Sequence, residues 1–130
     1  MKKTPPKTIL IVEDETVLSE AYYTLLDQAG YDVKVASNGQ DALDKTEAYE
    51  PDLILLDLRM PVMTGIDFLR EYQLLNKHPD VKVIVFSNYD MQAEIDEAYK
   101  LGADRYILKA WASPKEILDL VGSTLETEKV

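Results

Sequence analysis

The sequence predicts an α/β fold of the doubly wound kind, a (βα)5 three-layer sandwich around a parallel sheet. Two observations carry this expectation. Five short apolar runs alternate along the chain with five segments whose apolar residues recur at helical spacing. The central run, Leu53 to Leu56, shows no polar alternation at all, which is how a strand buried on both faces reads. Strict alternation of strand and helix joins parallel strands through right-handed crossovers, with helices on both faces of the sheet.

Residues 1–7, with two prolines and three lysines, read as a frayed leader ahead of a single domain over residues 8–125; residues 126–130 read as a polar tail. Thr8 to Val12 is the first strand and stops at Glu13-Asp14-Glu15. Val17, Leu18, Ala21, Tyr22, Leu25, Leu26 and Ala29 then mark a helix that Gly30 closes. Tyr31 to Ala36 is a second strand, and Ser37 with Gln40 forms a capping box for a helix through Ala42, Leu43 and Thr46. Pro51 precedes the central strand. One helix is expected from Ile66 through Leu69, Tyr72 and Leu75 to His78-Pro79. Val81 to Phe86 is the fourth strand, followed by a helix carrying Met91, Ile95, Ala98 and Leu101 and closed by Gly102. Tyr106 to Leu108 is the fifth strand. Ser113-Pro114-Lys115-Glu116 starts the last helix, with proline at its first position.

Composition narrows the chemistry. The 130 residues contain no cysteine, which excludes disulfides, thiolate metal sites and cysteine nucleophiles, and is compatible with a cytoplasmic location. A single histidine, His78, argues against histidine catalysis. The formal net charge of −10 argues against direct nucleic-acid binding, which needs a basic surface. No apolar run is long enough to span a membrane.

In a parallel sheet every strand-to-helix loop opens at the same edge, where ligands of such folds bind. The first strand delivers Glu13 and Asp14 there, the third Asp57, the fourth Ser87 and the fifth Lys109. Each has an ordinary explanation taken singly, such as a helix-start acid, a turn serine or a surface lysine. Their convergence does not. Clustered carboxylates repel one another, and a hard divalent cation such as Mg²⁺ relieves the conflict. With a lysine and a hydroxyl beside them, the set suits a phosphoryl group attacked by a carboxylate.

These residues resemble the receiver domains of bacterial two-component response regulators, the stand-alone chemotaxis type in particular. The likeness runs from Thr8 to Leu125 and rests on Glu13-Asp14, Asp57 in LLDLRMP, Gly65, Ser87 and GADRYILK from Gly102 to Lys109. The resemblance implies a flavodoxin-like sandwich with sheet order 2-1-3-4-5. It implies that Asp57 takes a phosphoryl group from the phosphohistidine of a sensor histidine kinase or histidine phosphotransfer protein. By the same likeness Asp14, Asp57 and the Arg59 carbonyl ligate Mg²⁺, with Glu13 acting through water. Ser87 and Lys109 hold the phosphoryl oxygens, and Tyr106 turns inward as Ser87 moves. Arg59 and Tyr89 flank the path of the attacking water and slow self-dephosphorylation. The chain is then a regulatory phosphoacceptor rather than an enzyme. It signals to a downstream protein through the fourth helix, fifth strand and fifth helix, as a monomer or a phosphorylation-dependent dimer. Apolar Ile117, Leu118, Leu120, Val121 and Leu125 either serve that surface or pack inward.

One departure stands out. The family's lysine is usually followed by proline in cis, whereas here Ala110 follows Lys109, and a trans bond is expected. The competing reading is a degenerate receiver that binds partners without phosphorylation. A flavodoxin-type carrier is disfavoured by the acidic first loop, and a haloacid-dehalogenase-type phosphatase by Arg59 where it needs a second aspartate.

Overall fold

The computed structural model describes residues 5–88 and 91–126, the Trp111 side chain excepted. Five strands form one parallel sheet: β1 (Thr8–Val12), β2 (Asp32–Ala36), β3 (Leu53–Asp57), β4 (Lys82–Ser87) and β5 (Arg105–Leu108), in the order β2-β1-β3-β4-β5. The helices are α1 (Thr16–Gln28), α2 (Gly39–Thr46), α3 (Gly65–Tyr72), α4 (Leu74–Lys77), α5 (Gln92–Lys100) and α6 (Pro114–Glu126). A 3₁₀ turn, Lys109–Trp111, links β5 to α6. The expected architecture and strand order are both present.

The sheet divides the core in two. Alternate residues of β1, β3 and β4 (Ile9, Ile11, Leu53, Leu55, Ile84 and Phe86) pack with Tyr22 and Leu26 of α1 and Ile117 and Val121 of α6. Their neighbours in the strands face the other way, onto Ala42 of α2, Phe68 and Leu69 of α3, and Ile95 and Ala98 of α5. Period-two alternation thus serves two apolar layers, which explains why β3 reads as uninterrupted hydrophobe. Leu118, Leu120 and Leu125 also pack, partly buried, on the first layer.

Local departures from the sequence expectations have identifiable causes. The helix expected to run through Leu75 breaks at Gln73, whose φ of 54° ends α3 in a left-handed cap. The break turns Leu74 into the core and leaves Leu75 at 55% exposure. On α1, Val17 and Ala21 are exposed, as is the capping Ala29 just past its end, and Ser19 takes an inward position, its hydroxyl donating to the Thr16 carbonyl at 3.1 Å. The α2 cap is Asn38, not Ser37: its Oδ1 accepts the Asp41 N–H at 2.9 Å. Asp41 closes the box by accepting the Ser37 N–H at 2.9 Å, while Gln40 reaches forward to Asp44. On α6 the expected cap is present, Ser113 Oγ accepting the Glu116 N–H at 3.2 Å. That helix continues through Glu126, where the tail was expected to begin.

The displaced cap gives a direct check by urea denaturation. Asn38→Ala removes an N-cap acceptor and is expected to cost about 1 kcal/mol. Gln40→Ala loses only a surface i,i+4 contact and is expected to stay within about 0.5 kcal/mol of wild type. The reverse ranking would restore the Ser37–Gln40 box.

Candidate functional site

Register builds the site before any side chain is considered. β1 pairs Val12 with Leu56, so the residues that follow, Glu13 and Asp57, stand side by side at the carboxyl edge. Asp57 pairs across with Phe86 and Ser87 with Leu108, which brings the ends of β4 and β5 to the same edge. Tyr22 of α1 stacks on Phe86 in the adjoining core layer, with ring centroids 5.0 Å apart.

The β3–α3 loop is shaped for close approach. The Gly65 N–H donates to the Leu58 carbonyl at 3.0 Å. A Cβ on Gly65 would lie 2.5 Å from the Asp57 carbonyl oxygen and 2.9 Å from Leu58 Cα, so only glycine lets α3 start here. Thr64 caps α3, its hydroxyl accepting the Asp67 N–H at 3.1 Å. Ahead of Thr64, Val62 has a φ of 69° while the Met63 N–H donates to the Pro61 carbonyl at 2.7 Å. That is a γ-turn of the rare strained kind, held by a β-branched residue.

Asp57 is 3% exposed. Its Oδ1 accepts the Arg59 N–H at 3.3 Å, and its Oδ2 accepts from Lys109 Nζ at 3.1 Å. The same ammonium lies 3.2 Å from Glu13 Oε1, so Lys109 spans both buried carboxylates. Glu13 Oε2 accepts the Glu15 N–H at 3.2 Å. Asp14 is exposed at the mouth, and one carboxylate oxygen from each of Glu13, Asp14 and Asp57 lies within 4.8 Å of the others.

One ammonium against three acids leaves the cluster short of positive charge. Burial, and then the charge of Asp57, pushes the Glu13 carboxyl up to about 7, against the smaller opposing pull of Lys109. Burial works against the Lys109 ammonium, but Asp57 and Glu13 outweigh it and hold its pKa above the usual lysine value. Oxygen donors with excess negative charge, two buried and one at the entrance, fit a hard divalent cation. Ser87 adds a second unmet demand: its Oγ is buried without a hydrogen-bond partner in the protein. Such a group is costly to leave unpaired, and this one stands at the carboxyl edge, at the end of β4.

A family model described as the response regulator receiver domain matches residues 9–121. The chain belongs to the response regulator receiver domain family. As a receiver it is of the regulatory phosphoacceptor class found in two-component systems, where such domains pair with histidine kinases. It is 34% identical over 114 residues to the chemotaxis protein CheY of Thermotoga maritima, covering 87% of this chain and 92% of that one. Among solved structures it superposes with TM-score 0.86 on a CheY-like receiver domain protein of Methanospirillum hungatei, 30% identical, covering 93% and 94% of the two chains. The receiver domain of sensor histidine kinase PA1611 of Pseudomonas aeruginosa, described with a magnesium ion coordinated in its active site cleft, matches in fold with TM-score 0.82 and 24% identity over 94% and 99% of the chains. Several other curated relatives are longer, and the receiver spans between 43% and 60% of their length.

The residues singled out from sequence therefore meet at one edge, with two exceptions in orientation. The Arg59 side chain points away, to Glu94 Oε1 on α5 at 3.5 Å. Tyr106 is 43% exposed and faces outward, its ring edge-on to Tyr99 at 6.3 Å. Tyr89 lies outside the described residues. No peptide bond among the described residues is cis, Lys109–Ala110 included, and the 3₁₀ turn carries the chain on to α6. Among the described residues, no helix is long and apolar enough to cross a membrane. Sequence reasoning missed the Glu94 contact, since nothing local links positions 59 and 94.

The raised Glu13 carboxyl predicts a pH slope. In metal-free protein the unfolded chain ionises Glu13 near 4.5, whereas the fold holds its proton until about 7. The unfolded state then binds fewer protons, so stability falls as pH rises through that window and Glu13 adds no slope above it. Unfolding free energies measured with EDTA should show wild type losing stability relative to Glu13→Gln across the window. Parallel curves would contradict the raised carboxyl.

Proposed function

We propose that this chain acts as a response regulator receiver that accepts a phosphoryl group on Asp57 from the phosphohistidine of a sensor histidine kinase or histidine phosphotransfer protein. The observation that carries the reading is the Lys109 ammonium, 3.1 Å from Asp57 and 3.2 Å from Glu13, inside a cluster whose remaining demand is for positive charge and for a partner to Ser87. A carboxylate oxygen of Asp57 attacks phosphorus, a P–O bond forms as the P–N bond breaks, and the imidazole leaves. Lys109 and Ser87 then bind phosphoryl oxygens.

Asp14 and Asp57, with the Arg59 carbonyl, would hold Mg²⁺, and Glu13 would act through water. When bound, the ion neutralises charge that develops on the transferred group. Phosphorylation adds roughly one to two negative charges and three acceptor oxygens. Drawing Ser87 toward them opens the space into which Tyr106 would turn. The altered surface lies on α5, β5 and α6, and the output is contact with a downstream protein, by a monomer or a phosphorylation-dependent dimer. The energy available is the difference in contacts between the two arrangements.

The test uses acetyl phosphate as donor. With Mg²⁺, intact mass should rise by one phosphoryl group, and peptide mapping should place it on Asp57. Asp57→Asn should stay unmodified, and EDTA should suppress the reaction in wild type. Modification elsewhere would overturn the assignment. No modification, together with no binding of beryllofluoride, would favour the degenerate, phosphorylation-independent receiver.

A further inference from the structure

Arg59 links the two ends of a mechanical path. Its backbone N–H donates to Asp57 Oδ1 at 3.3 Å, and its guanidinium lies 3.5 Å from Glu94 Oε1 on α5. The backbone just ahead of it is fixed, because Leu58 donates its N–H to the Phe86 carbonyl at 3.4 Å and accepts the Gly65 N–H at 3.0 Å. Adjustment at this point therefore falls to the Arg59 side chain.

The face of α5 that it touches borders a groove, while Ile95 and Ala98 anchor the helix in the core. Between α3 and α5 runs an open groove of about 480 Å³, floored by Leu58 and Ile66 and flanked by Arg59, Arg70, Glu94 and Glu97. Across it α5 is held by ion pairs: Arg59–Glu94, and Arg70–Glu97 at 3.7 Å, with Arg70 shared by Asp67 at 3.7 Å. Half-exposed pairs of this kind are weak, so a modest change of charge nearby rearranges them.

Resting on the phosphoacceptor reading above, we infer that Arg59 is a positioning residue that latches α5. In the unmodified protein its guanidinium holds α5 through Glu94. Negative charge gained at Asp57, two residues away, draws the guanidinium inward, and α5 is released at that end. Among the described residues the Arg70–Glu97 pair has no tie to Asp57, and it serves only as a static strap. The two pairs sit one helical turn apart on α5, so they separate a relay from a strap within one structure.

Hydrogen exchange of the α5 peptide, measured by mass spectrometry with Mg²⁺ present throughout and with or without beryllofluoride, tests the latch. Glu94→Gln is a conservative change at a partly exposed site. It is expected to raise α5 exchange in the unmodified protein about two- to fivefold, as loss of one such pair implies. It should also remove most of the increase that beryllofluoride produces in wild type. Glu97→Gln should raise basal exchange yet keep the full beryllofluoride increment. An undiminished increment in Glu94→Gln would overturn the latch, as would equal loss in both variants. Fluorine NMR reports beryllofluoride binding separately: if it binds and the increments are equal, only the latch fails. If it does not bind wild type, the phosphoacceptor reading fails and the latch with it.

Discussion

Lys109 is the constraint on which the site depends. It leaves the edge strand β5 and reaches past β4 to Asp57 on β3 and Glu13 beyond β1, a span that needs a long, flexible side chain with a compact charge. Without it, two carboxylates at 2–4% side-chain exposure would face each other at the end of an apolar sheet. Burying a charge is tolerable only when it is paired, and one ammonium here serves two partners. The pairing is incomplete by design of the charges: Glu13 still resists ionisation. The cluster therefore carries unneutralised negative charge, and the Ser87 hydroxyl at the same edge has no partner in the protein.

The rest of the edge is organised to keep that cluster tight. Gly65 lets α3 begin against the Asp57 carbonyl. Gly39 lets α2 begin against Met63, whose carbonyl accepts the Gly39 N–H at 3.2 Å. The loop between them carries the strained Val62 turn, and the two helix starts hold it from both sides. Strain of this kind persists where its surroundings over-determine it, and such places are commonly functional. The cluster, the loop and the α5 contacts through Arg59 and Arg70 form a continuous path from buried charge to an exposed helix.

Much of this was legible in the sequence because its signals are local or periodic. Strand ends could be read from where apolar runs meet Glu13, Asp57, Ser87 and Lys109, and parallel topology then placed those ends together. Side-chain direction was less legible. Ser37 and Asn38 are both good caps, and the choice between them turned on which one Asp41 could complete. The break at Gln73 reflects the need to bury Leu74, a tertiary demand without local signature. Arg59 and Glu94 meet across 35 positions of chain, and only the packed α3–α5 pair brings them within reach. Tyr106, expected to turn inward only as Ser87 moves, stands half outside because β5 is an edge strand.

The charge deficit at the Lys109 bridge is most directly tested by Mg²⁺ titration calorimetry on wild type and Lys109→Met. If the ammonium and the cation compete to neutralise the same carboxylates, removing the ammonium leaves the cluster more negative. A charge interaction of about 1 kcal/mol or more at such separations then predicts Mg²⁺ affinity at least about fivefold higher in the variant. Unchanged or weaker binding, with the fold intact by circular dichroism, would contradict the account.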